Sequence, residues 1–280
     1  MVSKKRVRRR VPVKKRRRGG LRSWLRRHRP GWAWWLGFVL VVVLGFFAVR
    51  TYFYQPDGER VVYPEGYTVY GIDVSRYQAD INWELLCNQG LIRENPVRFV
   101  FIKATQGTDR VDPTFARNFQ QARQYGFRRS AYHYFEPQVS ARQQAYFFIK
   151  NVVLEEGDLP PVLDVEEAPP AGMSVREFKW SVLEWLSLVE EHYGIQPILY
   201  ASHSFRLRYL DDVIFQRYPF WIAHYDVDRV AYKGPWCFWQ FSDKGSLPGI
   251  RGHVDLDVFS GTLDDLIELT VQPSASLPAE

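Results

Sequence analysis

Apolar residues follow two alternating patterns along residues 69–268. Short, almost uninterrupted apolar runs such as 97–105 (VRFVFIKAT) and 160–166 (PPVLDVE) predict strands that are buried on both faces. The segments between such runs, for example 112–126 and 174–194, repeat apolar residues at helical spacing and end at glycine. Five strand–helix pairs of this kind precede three strands with little helix between them, in residues 219–226, 236–242 and 253–259.

This order of elements predicts an α/β protein. The expected architecture is an irregular TIM-like (β/α) barrel with five regular β/α units and a strand-rich end. A doubly wound parallel sheet is the alternative. The chain lacks the G-x-G-x-x-G and P-loop sequences that bind phosphates at a helix N-terminus, and it lacks a His/Cys cluster with metal-ligand spacing. We therefore predict no cofactor and no metal site.

The first fifty residues differ in character from the rest. Residues 1–30 contain 15 Lys and Arg and no Asp or Glu, and residues 31–49 contain no charged residue. An apolar stretch of this length is close to the roughly 20 residues that span a bilayer as a helix. We predict a basic cytoplasmic tail (1–30) and a transmembrane helix (31–50), with the C-terminal part periplasmic or extracellular. A cleaved signal peptide is the alternative.

The remainder of the chain is acidic. Residues 31–280 carry 22 Lys and Arg against 31 Asp and Glu, a net charge of −9, although the whole chain carries +6. Because an acidic domain repels phosphate, the expected partner of the basic tail is an anionic membrane surface and not nucleic acid. We expect a linker (51–68), a barrel (69–268) and a disordered tail (269–280). Cys87 and Cys237 are compatible with either a disulfide or two free thiols.

The segment 160–167 (PPVLDVEE) ends a predicted buried strand with carboxylates. Residues two apart on a strand point to the same side, so Asp164 and Glu166 share one face, while Val165 and Glu167 share the other. Burying two carboxylates side by side is costly unless the groups are paired or used. The pattern therefore indicates a catalytic pair.

Polar and aromatic residues also occur near the predicted ends of the other strands. In a parallel barrel the carboxyl ends of the strands meet at one mouth, where active sites lie. Acids among aromatic side chains are typical of a carbohydrate site, since cleavage of a glycosidic bond needs an acid and a charge stabiliser. The candidate catalytic residues are Asp73, Asp164, Glu166 and Asp255, and the candidate substrate-binding residues are Tyr77, Lys103, His133, Phe135, Tyr200, Trp221 and Trp239.

Several of these segments resemble glycoside hydrolase family 25, the Chalaropsis-type lysozymes. Residues 70–83 (YGIDVSRYQADINW) resemble the opening motif of the family, residues 99–135 resemble its second and third strands, and PPVLDVE resembles its catalytic D-x-E strand. The resemblance extends over roughly residues 67–268. It implies an irregular (β/α) barrel that hydrolyses the β-1,4 bond after N-acetylmuramic acid in peptidoglycan glycan strands.

The resemblance also implies roles for individual residues. Glu166 matches the general acid of the family, and Asp164, Asp73 and Asp255 match its other acidic site residues. In this scheme Asp164 stabilises the positive charge that develops on the sugar, either directly or by orienting the sugar's own 2-acetamido group.

Two positions depart from the commonest pattern of the family. Gln106 stands where many members have Glu, and Asp257 stands where many have Asn, which bears on substrate detail and not on the type of reaction. A catalytically weak or inactive peptidoglycan-binding module is the alternative function. The presence of both Asp164 and Glu166 argues against it.

The predicted topology has a direct test. A reporter that is active only outside the cytoplasm, fused after Glu280, is expected to be active, because the basic residues before the apolar segment hold the N-terminus in the cytoplasm. The same fusion with a reporter that works only in the cytoplasm serves as the control. Activity of the control alone contradicts the predicted localisation.

Overall fold

The computed structural model describes residues 35–44 and 61–272. Residues 35–44 form helix α1, in which every residue is exposed. Within the described residues, no helix combines the length and the apolar character needed to cross a bilayer. Half of the predicted transmembrane segment (31–50), the whole predicted tail (1–30) and most of the predicted linker lie outside the described residues, so the anchor remains a prediction.

Residues 61–272 contain the sheet and the remaining helices. The strands are β1 (Tyr70–Val74), β2 (Leu91–Ile92), β3 (Asn95–Gln106), β4 (Arg110–Val111), β5 (Arg128–Tyr134), β6 (Val162–Asp164), β7 (Ile198–Ser202), β8 (Phe220–Ala223), β9 (Phe238–Gly245) and β10 (Val254–Phe259). The helices are α2 (Trp83–Gln89), α3 (Phe115–Gln124), α4 (Ala141–Asn151), α5 (Val175–Tyr193), α6 (His203–Phe205) and α7 (Leu263–Glu268), with single turns of 3-10 helix at Arg76–Gln78 and Val213–Phe215 and of π-helix at Arg206–Leu210.

Eight strands close into a barrel in the order β1-β3-β5-β6-β7-β8-β9-β10, and β10 pairs with β1. Neighbouring strands from β1 to β9 are parallel, whereas β10 is antiparallel to both β9 and β1. The five predicted β/α units and the strand-rich end are confirmed. The barrel is only partly TIM-like, because β10 is reversed and the described chain has no helix between β8 and β10.

The reversal of β10 changes which of its residues reach the mouth. A short connection between neighbouring strands produces an antiparallel pair, whereas a parallel pair needs a longer crossover. Asp255, near the start of β10, therefore lies opposite Asp73, near the end of β1. The prediction that Asp255 lies at the carboxyl end of a parallel strand was wrong, although the residue does reach the expected mouth.

Side chains of the barrel strands alternate between two separate cores. Phe99, Phe101 and Val162 point into the barrel, whereas Leu163 and Val165 pack in the layer between barrel and helices. Gly71 faces the interior, where an added Cβ would lie 2.3 Å from the Phe99 ring, so only glycine fits there. The interior is thus filled with aromatic rings at one end.

Several helices begin at a side-chain cap. The hydroxyl group of Ser140 accepts the backbone N–H of Gln143 at the start of α4, and Ser174 forms a capping box with Glu177 at the start of α5. Helix α3 begins later than predicted, at Phe115, and a side-chain oxygen of Asp112 accepts the N–H of Thr114 just before the first helical residue.

The packed domain includes residues on both sides of the predicted barrel range, 69–268. In the predicted linker, Tyr67 packs against the ring of Trp236. In the predicted disordered tail, Val271 exchanges backbone hydrogen bonds with the loop at residues 157 and 158. Residues 273–280 lie outside the described part. Cys87 and Cys237 are not bonded to each other.

Trp239, predicted to bind substrate, lies in the outer core instead. Alternation along β9 places Phe238 and Gln240 inside the barrel and Trp239 between the barrel and its covering layer. The indole is fully buried against the Tyr67 and Phe241 rings, and its N–H donates to a backbone carbonyl group.

Trp239→Ala is therefore expected to destabilise the fold. Removing a buried indole typically costs about 3–5 kcal/mol of the free energy of unfolding. Chemical denaturation measures the change, and Trp180→Ala is the matched control because Trp180 is 61% exposed. Equal stability of the two variants contradicts this placement of Trp239.

Candidate active site

A pocket opens at the barrel mouth, where the parallel strands end. Its walls combine carboxyl groups, phenol rings, amides and one lysine. Most of these side chains belong to strand residues that point into the barrel near the mouth. The lining residues are Asp73, Ser75, Tyr77, Gln78, Lys103, Tyr132, Tyr134, Asp164, Glu166, Tyr200, Trp221, Tyr225, Gln240 and Asp255.

Most of the predicted site residues meet in this pocket. The four candidate catalytic acids line it, together with four of the candidate substrate-binding residues, Tyr77, Lys103, Tyr200 and Trp221. Tyr77 is 77% exposed at the rim, whereas Trp221 is almost fully buried in the floor and is stacked on Phe101. Among the aromatic residues predicted from sequence to bind substrate, Tyr77 is thus the one with a ring that is accessible to a ligand.

His133 and Phe135 do not reach the pocket, so their predicted role in substrate binding was wrong. Strand β5 turns Tyr132 and Tyr134 inward and these two residues outward. The His133 ring is fully buried, where it stacks on Trp185 at 5.5 Å and hydrogen-bonds Thr105 at 2.7 Å. Burial lowers the pKa of His133 to about 3, which keeps the ring neutral.

Six residues line the pocket without having been predicted as site residues from the sequence: Ser75, Gln78, Tyr132, Tyr134, Tyr225 and Gln240. Both faces of strand β5 (RRSAYHY) combine an arginine with smaller or aromatic side chains, so its sequence contains no apolar–polar alternation that distinguishes the inner face from the outer one. Gln240 carried a usable signal, because it is a lone amide in the aromatic run 236–241.

Asp164 and Glu166 stand together at the end of β6, as predicted. Asp164 is the last residue of the strand, and Glu166 lies in the following loop. Burial and the charge of Glu166 raise the pKa of Asp164 well above its usual range, while Lys103 opposes the rise. Glu166 is an exposed residue at the mouth and is not buried beside Asp164 as the sequence predicted. Partial desolvation of its carboxyl group in the pocket still raises its pKa, against the opposing effects of a Tyr200 hydrogen bond and of Lys103.

Asp73 is held on the opposite wall by an amide network. The Gln240 side-chain N–H donates to Asp73 at 2.5 Å, and the hydroxyl groups of Tyr200 and Tyr225 both donate to the Gln240 carbonyl oxygen, at 2.8 and 2.6 Å. Asp73 lies within hydrogen-bonding reach of Asp255. Burial and neighbouring acids raise the pKa of Asp73 well above its usual range.

Lys103 is the cation that lines the pocket. Its ammonium group lies 4.6 Å from the centre of the Tyr134 ring, a cation–π distance. Burial lowers the pKa of Lys103, and the carboxyl groups of Asp164, Asp112 and Glu166 counteract that effect. The lysine therefore favours ionisation of the Asp164–Glu166 pair, although one lysine cannot neutralise every acid around the pocket.

The arrangement supplies both a proton donor and a charge stabiliser. Acids with raised pKa values hold protons at mildly acidic and neutral pH, and a neighbouring ionised carboxylate stabilises positive charge. In the described part of the chain, no group of three or more His, Cys, Asp or Glu side chains is arranged to hold a metal ion.

A family model for "Glycosyl hydrolases family 25" matches residues 72–250, which contain the pocket acids except Asp255. The chain belongs to this family. It is a glycoside hydrolase.

Individual relatives agree with the family assignment. The chain is 43% identical over 222 residues to the uncharacterized protein YegX of Escherichia coli (strain K12), a match that covers 78% of this chain and 79% of that protein. It is 31% identical over 228 residues to Lysozyme M1 of Streptomyces globisporus, with 76% and 75% of the two chains covered. The crystal structure of a bacterial lysozyme from Streptomyces coelicolor is similar with a TM-score of 0.65 and 31% identity, covering 72% of this chain and 96% of that one.

Asp255→Asn is expected to change how stability depends on pH. Burial and nearby acids raise the pKa of Asp255 to about 6, whereas the pKa of an Asp in an unfolded chain is about 3.9. The folded state therefore holds this proton more tightly, and its contribution is complete below pH ~4 and lost as the pH rises through about 6. Relative to wild type, Asp255→Asn should gain about 2 kcal/mol between pH 4 and pH 7.

Thermal unfolding across this pH range measures the gain. Asp228→Asn makes the same chemical change on an exposed loop, and its stability curve should run parallel to that of wild type. A parallel curve for Asp255→Asn as well contradicts the raised pKa.

Proposed function

We propose that the protein is a membrane-anchored muramidase that hydrolyses the β-1,4 bond between N-acetylmuramic acid and N-acetylglucosamine in peptidoglycan. The observation that supports the proposal most strongly is the placement of Asp164 and Glu166 together at the barrel mouth, opposite Asp73 and Asp255. The relative from Streptomyces globisporus bears the name lysozyme.

Glu166 is the proposed general acid. Its raised pKa favours the protonated form that a general acid needs, and the side chain lies at the junction of the pocket with a neighbouring cavity. A glycan strand that runs across the mouth would place its glycosidic oxygen beside this group. Proton transfer to that oxygen lets the leaving sugar depart as an alcohol.

Asp164 is the proposed stabiliser of the developing positive charge. It is more deeply buried than Glu166, and one of its oxygens has no hydrogen-bond donor among the described residues. That oxygen is available to the substrate, either to the anomeric carbon or to the N–H of a 2-acetamido group. Lys103 favours the ionised form of Asp164 that either role requires.

The cavity beside the pocket provides room for further sugar units. It shares Glu166, Tyr200 and Tyr225 with the catalytic pocket and continues past a stacked pair of rings, His203 and His224, whose centroids are 4.4 Å apart. A polymeric substrate fits such an extended cleft better than a single sugar does. The exposed Tyr77 ring at the rim offers a stacking surface for the glycan.

The membrane anchor rests on the N-terminal sequence. Residues 31–49 are uncharged, and the 15 basic residues before them favour a cytoplasmic N-terminus. Tethering would hold the hydrolase near the wall it acts on. An untethered muramidase remains the outcome if the segment is cleaved or does not insert.

Glu166→Gln tests the reaction. The amide keeps the shape of the side chain but has no proton to donate, and general acid catalysis typically contributes about 10²–10⁴-fold, so turnover of purified peptidoglycan should fall by that order. Stability should hold or rise, because the amide cannot ionise beside Asp164 as the carboxyl group can. Asp164→Asn should reduce turnover to a different extent, since its role is charge stabilisation and not proton donation.

Val165→Ala is the matched control on the same segment. Val165 is fully buried on the opposite face, so the change should cost about 2 kcal/mol of stability and leave turnover of the folded enzyme largely intact. Hydrolysis by Glu166→Gln at a near wild-type rate contradicts its catalytic role. Binding of peptidoglycan without any release of reducing ends by wild type favours the inactive-module alternative.

A further inference from the structure

Asp112 is a buried acid that does not line the pocket but joins two elements at its rim. Its side chain is 7% exposed. One carboxyl oxygen, Oδ1, accepts the backbone N–H of Thr114 at 2.9 Å and the hydroxyl group of the same residue at 2.7 Å. The other, Oδ2, accepts the backbone N–H of Arg76 at 3.0 Å. The carboxylate thus connects the start of helix α3 to the 3-10 turn Arg76–Gln78.

This turn carries two side chains of the pocket. Tyr77 and Gln78 both line it, and the Tyr77 ring is 77% exposed at the rim. The guanidinium group of Arg76 lies 5.3 Å from the centre of that ring, but it belongs to the same turn. An exposed ring gains little orientation from packing. The place of the Tyr77 ring therefore depends on the backbone of the turn.

Contacts from outside the turn hold its backbone. Ala79, directly after the turn, has a φ of 51°, a left-handed conformation that a residue other than glycine keeps only when its surroundings impose it. The side chain of Arg117, on α3, donates to the Ala79 carbonyl oxygen at 3.0 Å. The Gln78 amide donates to the carbonyl oxygen of His253 at 3.2 Å. Asp112 holds the first residue of the turn, so the N-terminal part of α3 and the residues before it fix both of its ends.

Asp112 is itself attached to the barrel wall. Its backbone N–H donates to the carbonyl oxygen of Ala104 at 2.9 Å, and its own carbonyl oxygen accepts the N–H of Phe115 at 3.1 Å. Ala104 is a fully buried residue of β3, the strand that also carries Lys103 into the pocket. The carboxylate therefore relates the position of the rim turn to the position of a barrel strand.

We propose that Asp112 is a positioning residue for substrate binding, whose carboxylate fixes the turn Arg76–Gln78 and thereby the place of the Tyr77 ring against the glycan. The proposal rests on the proposed function for its activity assay. A carboxylate suits this role because both of its oxygens accept hydrogen bonds. The amide of an asparagine accepts on one side only and turns an N–H group toward a backbone donor on the other.

The first experiment is a double-mutant cycle on the full chain, with soluble fragments of purified peptidoglycan as substrate. Tyr77→Ala removes the ring, and Asp112→Asn sets an amide N–H group against one of the backbone donors. Each change should raise KM by about 10-fold and leave kcat within about 3-fold, as expected for the loss of an aromatic binding contact. The double variant should have the KM of Tyr77→Ala alone, because Asp112 acts through the ring.

Thr114→Val is the matched control. It removes the hydroxyl bond to Oδ1 of Asp112 and leaves the bond between Oδ2 and Arg76, so KM should stay at the wild-type value. Additive increases of KM in the double variant overturn the proposal. A loss of kcat at unchanged KM in Asp112→Asn also overturns it, because Asp112 would then act by raising the pKa of Lys103.

Arg117→Gln tests the same turn without altering a buried group, since the Arg117 side chain is 47% exposed. Loss of the bond to the Ala79 carbonyl oxygen should raise KM by about 5-fold, and only while Tyr77 is present. This variant decides the question if Asp112→Asn does not fold. An unchanged KM then overturns the proposal.

The last experiment needs no activity. Amide hydrogen exchange, followed residue by residue with NMR, should show the Arg76 N–H protected in wild type and in Thr114→Val, and exchanging at least about 10-fold faster in Asp112→Asn. Equal exchange in all three proteins overturns the proposal even if the enzyme is active. Faster exchange in a protein that neither binds nor hydrolyses peptidoglycan contradicts the proposed function and leaves the anchoring of the turn by Asp112 established.

Discussion

The burial of several carboxyl groups at one mouth of a closed barrel is the constraint on which the rest of the structure depends. Asp73, Asp164 and Asp257 are each at least 93% buried, and Lys103 is the lysine that shares the pocket with two of them. Ionised acids at this density would repel each other, and burial together with neighbouring charges raises the pKa values of all three. Raised pKa values are thus a direct consequence of the architecture and also the basis of the proton-transfer chemistry.

The barrel makes this burial possible through a gradient along its interior. Aromatic rings fill one end, where Phe99, Phe101 and Phe238 contact each other at centroid distances of 5.0–5.4 Å. On β3, β6 and β9 the next residue of the same parity is polar and faces the mouth, namely Lys103, Asp164 and Gln240. Well-packed aromatic and aliphatic layers stabilise the fold enough to offset the cost of the acids above them.

The amides and phenols of the pocket wall serve the acids more than they serve a ligand. Gln240 donates to Asp73 and in return accepts from Tyr200 and Tyr225, so three strands or loops are tied together by one side chain. Trp221 plays a similar part beneath the pocket, where its N–H supports Asp257. These neighbours fix the orientation of the carboxyl groups before substrate arrives, which is what efficient acid catalysis requires.

The sequence by itself determined the five β/α units, the strand-rich end, and the pairing of Asp164 with Glu166, because these follow from local periodicity and from the two-residue repeat of a strand. Tertiary structure alone decided which face of β5 and β9 lies inside the barrel. Each of those strands combines polar and aromatic residues without a clear apolar–polar alternation, so only their register with neighbours separates Tyr134 from His133 and Gln240 from Trp239. Closure of the barrel also decided the meeting of Asp255 with Asp73, since that contact joins residues far apart in the chain.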